Sequence, residues 1–210
     1  MENTLFVALS RQMGLKRQMA VVANNIANMN TTGFKGEKMM FVEHVVRSQN
    51  SDNALGEKLS YVRDIATVRD TTAGHMSQTG NPLDVAIQGD GYFAIETRGG
   101  EQFTRNGRFQ LDATGQLVTN SGDPVMSASG QPLFFGPTDT QITISGDGTI
   151  STENGALGRL KVVKFPDELA LQQSGGLLFN ADPQNEPEEI ESPQVLQGAL
   201  ESSNVQPIIE

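Results

Sequence analysis

Apolar residues recur at alternating steps of three and four through the first thirty positions: Leu5, Ala8, Leu15, Met19, Val22, Ile26 and Met29, with Gln12 the one polar member. That spacing is a heptad seam, and it predicts an α-helix over residues 3–29. A second stripe of Phe6, Leu9, Met13, Lys16, Ala20, Ala23 and Ala27 widens the apolar face beyond what a single partner helix would cover. Gly14 is the only helix-weakening residue inside the run, at a cost of about 1 kcal/mol. The helix would reach about 40 Å at 1.5 Å per residue. The following Asn28-Met29-Asn30-Thr31-Thr32-Gly33 supplies the turn chemistry of a helix stop. A lone helix in water is marginal, so the seam asks for other helices, from this chain or from neighbours. Amide exchange over residues 3–30 of the free chain is expected to be fast.

From Asn81 the period switches to two. Leu83 to Ile87 alternates, Gly89-Asp90-Gly91 reads as a turn, and Tyr92 to Ile95 reads as the return strand. Glycines at 107, 115, 122 and 130 then punctuate short apolar runs (Arg108–Leu111, Gln116–Thr119, Pro124–Met126 and Pro132–Phe135). Later strands are expected at Ile142–Ile144, turning at Asp147-Gly148, and at Leu160–Phe165. The fold class is therefore mainly β with a long N-terminal helix: a small sandwich or open barrel of short hairpins, flanked by terminal helical, coiled-coil segments.

The chain divides by composition into four parts. Residues 1–35 hold the helix and its stop. Residues 36–80 lack clear periodicity and read as an extended connector with partial strands such as Lys58–Val68. Residues 81–185 form the β domain. Residues 186–210 begin in the acidic, proline-rich stretch Asp182–Pro193 and read as a linker, followed by the start of a C-terminal helical segment near Pro207 that the chain end cuts short.

The residues available exclude several chemistries. There is no cysteine, which removes disulfides, thiol catalysis and cysteine-based metal sites. His44 and His75 are the only histidines, and His75, beside Gly74, reads as a surface residue. The net charge of −10 argues against nucleic acid as a partner. Residues 1–38 run the other way, with Arg11, Lys16, Arg17, Lys35 and Lys38 against Glu2 and Glu37, most simply as a solvated helix face. No apolar run is long enough to insert in a membrane, and the N-terminus lacks the features of a cleaved signal. Asp84 and Asp90 could be imagined as a glycosidase pair, but Asp90 suits a turn and Asp84 would alternate outward on a strand. Asp112–Gly115 and Asp147-Gly148 are turns, without the ligand spacing of calcium loops. Glu186, Glu188, Glu189 and Glu191 read as a solvated run before they read as a cation site. No enzyme activity, cofactor or metal is expected.

One set of segments is far more specific. Ala23-Asn24-Asn25-Ile26-Ala27-Asn28-Met29-Asn30-Thr31-Thr32-Gly33-Phe34-Lys35 resembles the N-terminal signature of the bacterial flagellar axial proteins: rod, hook and hook-associated. The likeness continues in Gly80–Phe93, in Phe103–Phe109, in Leu111–Gly115, in Leu117–Thr119 and in Leu200-Glu201-Ser202-Ser203-Asn204-Val205, in family order along nearly the whole chain. The opening Leu5–Ser10 and the short length bring it nearest the proximal rod proteins, with the distal rod proteins as the close alternative.

The resemblance implies a structural subunit of the flagellar basal-body rod, which crosses the periplasm. It implies export through the flagellar type III machinery without a cleaved signal, and partners among other rod proteins and copies of the chain itself. Leu5, Ala8, Leu15, Met19, Val22 and Ile26 would then carry axial packing, with Asn24, Asn25 and Asn28 fixing register. Thr31 and Gly33 would end the helix, and Phe34 would plug into the structure beyond it. Family members continue past Val205 into a C-terminal helix. The competing class is a secreted glycan-binding or glycan-cleaving β protein with a helical arm.

Overall fold

The computed structural model describes residues 2–47 and 58–206. They fall into two compact units, one of residues 2–28, 36–47, 58–70 and 205–206, the other of residues 29–35 and 71–204.

The first unit is a helix on a hairpin. α1 spans Glu2–Ala27, and β1 (Glu37–Arg47) pairs antiparallel with β2 (Lys58–Arg69), with a bulge between Met40 and Phe41. The segment without periodicity thus contains the strand expected near Lys58–Val68 and a second, β1, that pairs with it. α1 packs against both strands. Among the described residues of α1, Gly14 and Asn25 are buried and Ser10, Val21 and Val22 half-buried, with Asn28 half-buried just beyond its end. At about 100° per residue, Ser10, Gly14, Val21 and Asn25 share one side of the helix, with Val22 at its margin.

The second unit carries the core. Its first strands are β3 (Met76–Gln78), β4 (Val85–Ile87), β5 (Tyr92–Thr97), β6 (Gly100–Thr104), β7 (Phe109–Leu111) and β8 (Leu117–Thr119). They are followed by β9 (Thr143–Ile144), β10 (Thr149–Thr152), β11 (Gly155–Arg159) and β12 (Val162–Lys164). A single 3-10 turn at Glu168–Ala170 leads to β13 (Gln172–Gly175) and β14 (Leu178–Asn180). The last are β15 (Glu188–Glu189), β16 (Val195–Gln197) and β17 (Ala199–Glu201). The largest sheet has the order β13-β14-β6-β5-β12-β15. β5 is one of its interior strands, and side-chain alternation sends Phe93 and Ile95 into one apolar cluster and Tyr92 and Ala94 into another. Both faces of the sheet are thus covered, and the remaining sheets have two or three strands. The fold is mainly β with one N-terminal helix and several small sheets, none closed into a barrel among the described residues.

Three sequence expectations change here. β4 and β5 do not form a hairpin across Gly89–Gly91: β4 pairs with β16, and β5 with β6 and β12. Alternation marks a strand but cannot choose its partner, and the C-terminal Val195–Gln197 takes the edge of β4. The acidic stretch is not simply a linker, because Glu188 and Glu189 form an edge strand and ion-pair with Lys164 at 3.0 Å and Arg159 at 3.1 Å. The segment after it enters strands β16 and β17 before any helix could start, and the helix expected from Pro207 lies outside the described residues. The β7–β8 hairpin over Asp112–Gly115 and the turn at Asp147-Gly148 form where the glycines mark them.

Candidate functional site

The heptad seam faces away from the ribbon. Leu5 is 70% exposed, Leu15 53% and Met19 74%, while Ala8 and Ile26 are also exposed and Val22 is half-buried. By helical angle Leu5 and Met19 lie roughly opposite Gly14 and Asn25, while Ala8, Leu15 and Ile26 lie to one side and Val22 borders the packed side. Leu9 and Met13 on the second stripe are exposed as well. Burial of apolar area is worth about 25 cal/mol per Å², and this side of α1 leaves several large apolar side chains exposed.

The three asparagines of the motif do different work. Asn25 is fully buried, donates from Nδ2 to the Glu37 carbonyl at 2.8 Å and accepts at Oδ1 from the Glu37 amide at 3.0 Å. It therefore satisfies both backbone groups of the first residue of β1. Asn24 and Asn28 pair with each other instead, Asn28 Nδ2 donating to the Asn24 side-chain oxygen at 3.0 Å. No described non-glycine residue has positive φ, so α1 ends at Ala27 without a left-handed residue from Asn28 or Asn30; Gly33, at φ +71°, turns the chain six residues beyond the helix.

In the β unit, motif segments far apart in sequence converge. The Gly33 amide donates to the Glu201 carbonyl at 2.8 Å, and a Cβ on Gly33 would stand 2.7 Å from the backbone of Arg105 and Asn106. Thr32 Oγ1 donates to Asn106 Oδ1 at 2.8 Å. Phe34 is buried and its carbonyl accepts from the Asn204 amide. Lys35, read from sequence as part of a solvated helix face, is instead a buried residue beyond the helix. Its Nζ donates to Glu201 Oε1 at 2.7 Å and to the Thr72 carbonyl at 2.8 Å.

Glu201 Oε1 also accepts from the Gly74 amide at 2.8 Å. Gly74 is required there, since a Cβ would meet the Ser202 carbonyl oxygen at 1.9 Å. Arg105 completes the cluster: Nη2 donates to the Gly89 carbonyl at 2.7 Å, the guanidinium lies 5.6 Å from the Tyr92 ring centre, and Nε stands 3.6 Å from Glu201 Oε2. Burial holds the Lys35 ammonium below its usual range, with the Glu201 hydrogen bond and charge acting the other way. Burial also pushes the nearby Glu168 carboxyl up, against the pull of Arg105 and Lys35. Sequence reasoning passed over this cluster. The signal was available only as charged residues inside motif segments, and nothing local pairs residue 35 with residue 201.

The carboxylates considered for glycan cleavage do not form a matched acid–base pair. Asp84 is buried rather than outward, accepting from Thr79 Oγ1 at 2.7 Å and Asn81 Nδ2 at 3.1 Å, and so organises its own loop. Asp90 is exposed. His75 is exposed at the start of β3, and no group of three or more metal-ligating side chains occurs among the described residues.

The family described as "Flagella basal body rod protein" matches residues 5–35, and the one described as "Flagellar hook protein FlgE/F/G D1 domain" matches residues 86–152. The flagellar basal-body rod protein FlgF of Caulobacter vibrioides is 40% identical over the whole chain and 85% of its own length. The chain belongs to the flagellar basal-body rod protein family. Escherichia coli FlgF is 34% identical over 98% of the chain and 84% of its own length, and Bacillus subtilis FlgG 32% over 98% and 86%. The match over residues 5–35 thus covers most of α1 and runs through the turn to Lys35.

Proposed function

We propose that this rod-family chain works as a proximal-rod subunit that builds a helical stack through the seam of α1, with no chemistry of its own. The exposed strip of Leu5, Leu15, Met19 and Ile26, outside the face that the ribbon covers, carries the reading. In the stack, helices of neighbouring copies and of other rod subunits would bury this strip in a coiled-coil inner layer, with the β unit outside it as a small sandwich of sheets. Such contacts are heterologous and non-closing, which suits a filament that transmits torque. Delivery through the flagellar type III apparatus without a cleaved signal, and residence in the rod across the periplasm, belong to the same reading. The proximal position rests on the FlgF names among the relatives.

Met19→Asp tests it. Met19 is the most exposed of the large seam residues, so the substitution leaves the monomer folded and places a charge in the seam. The expected outcome is loss of motility and basal bodies that stop short of a complete rod in electron micrographs, with normal circular dichroism of the purified chain. Swimming cells with complete rods would remove the seam from the mechanism.

A further inference from the structure

The ion cluster joins four stretches of chain: the turn through Lys35, the approach to β3 at Thr72 and Gly74, Arg105 after β6, and Glu201 at the end of β17. Its charged members are nearly sealed, with the side chains of Lys35, Arg105 and Glu201 each at most 3% exposed. A charge left alone in such a place is costly, far more so than the loss of a surface pair. The segments must therefore arrive together. Lys35 is the cation hydrogen-bonded to Glu201, because Arg105 Nε stands beyond hydrogen-bond reach of Glu201 Oε2, so Glu201 needs Lys35 in order to enter and Lys35 needs Glu201.

The neutral contacts point the same way. The Gly33 amide needs the Glu201 carbonyl, the Phe34 carbonyl takes the Asn204 amide, and Asn204 Nδ2 donates to the Thr72 carbonyl at 3.0 Å. Each contact spans one early and one late segment. None is local.

We propose that Lys35, Arg105 and Glu201 form a reciprocal clasp, in which the N-terminal turn 31–35 and the C-terminal segment 199–204 of the β unit are ordered together or not at all. This does not depend on the rod function. It assigns these residues a coupling role: whatever holds the C-terminal segment in place also holds the turn from which the N-terminal helix departs, and the converse holds by linkage. The arrangement sets position more than stability, because buried ion clusters contribute little net stability compared with apolar replacements but leave a heavy penalty when one partner is lost.

Hydrogen exchange read by mass spectrometry on the full chain tests the clasp. Glu201→Gln should speed exchange at least about tenfold in peptides covering 31–36, the scale set by losing one charge-assisted hydrogen bond. Lys35→Met should do the same in 199–204, and β5–β6 peptides should stay protected in both. Changes confined to the peptide that carries the substitution would overturn the proposal. Should Glu201→Gln also expose β5–β6, Asn204→Ala takes its place. It removes the Asn204 amide bonds to Thr72 without leaving a buried charge alone, and the clasp still requires faster exchange at 31–36, with unchanged exchange there again overturning it.

Discussion

Glu168 sits half-buried beside the two cations of the cluster, and its Tyr92 hydroxyl contact is long at 3.5 Å. Burial raises its carboxyl above the ordinary value of 4.5 despite the pull of Arg105 and Lys35. A raised carboxyl means the folded state favours the protonated form. That contribution is complete below the unfolded value and is lost as pH climbs through the folded one. Glu168→Gln should therefore raise the midpoint of chemical unfolding at pH 7 relative to the unsubstituted chain, and the difference should vanish below about pH 4. Parallel urea titrations at the two pH values check it. Among the motif asparagines, Asn25→Ala leaves the Glu37 amide and carbonyl without partners in a buried place, at a cost of about 1–3 kcal/mol. Asn24→Ala, at an exposed position, should cost well under half of that, and denaturant midpoints followed by helix ellipticity distinguish the two.

At the scale of elements, α1 is held on one side only. Its packed side uses Ser10, Gly14, Val21 and Asn25, with Val22 half-buried beside them, whereas Leu5, Leu9, Met13, Leu15, Met19 and Ile26 are exposed. Helical stability in proteins comes mainly from burying an apolar face, so α1 is weakly anchored until the seam is covered. The sheet edges contrast with it. β15 is short and carries Glu188 and Glu189, each paired with a cation of the same unit, which blunts that edge against further strand addition. The loop before β9 is pinned by Glu153, whose carboxylate accepts from the Thr140 amide and hydroxyl and the Gln141 amide. These bonds hold its pKa down to about 2. A depressed carboxyl contributes above its unfolded value and ceases to contribute only as pH falls through about 2. Glu153→Gln should thus speed exchange of the Thr140 and Gln141 amides at neutral pH while leaving β5 unchanged.

For the whole molecule, the two units differ in kind. The β unit has two apolar clusters on the faces of its central sheet, while the other unit is a helix on a two-stranded ribbon, a form that is marginal unaided. Unfolding should not be a single cooperative step. Helix ellipticity should be lost at lower urea than the near-ultraviolet signal of Tyr92 and its aromatic neighbours, and coincident transitions would contradict this. The helix, its stop near residue 30, the turns at Asp112–Gly115 and Asp147-Gly148 and the family were all legible in the sequence. Each is written in periods or motifs of a few residues, where backbone sterics and side-chain alternation act locally. The partner of β4, the inward turn of Asp84, the pairing of β1 with β2 and the meeting of Lys35, Arg105 and Glu201 were decided by the tertiary structure. Pairing between distant segments depends on which buried charges and strand edges find one another, and no local pattern encodes that choice.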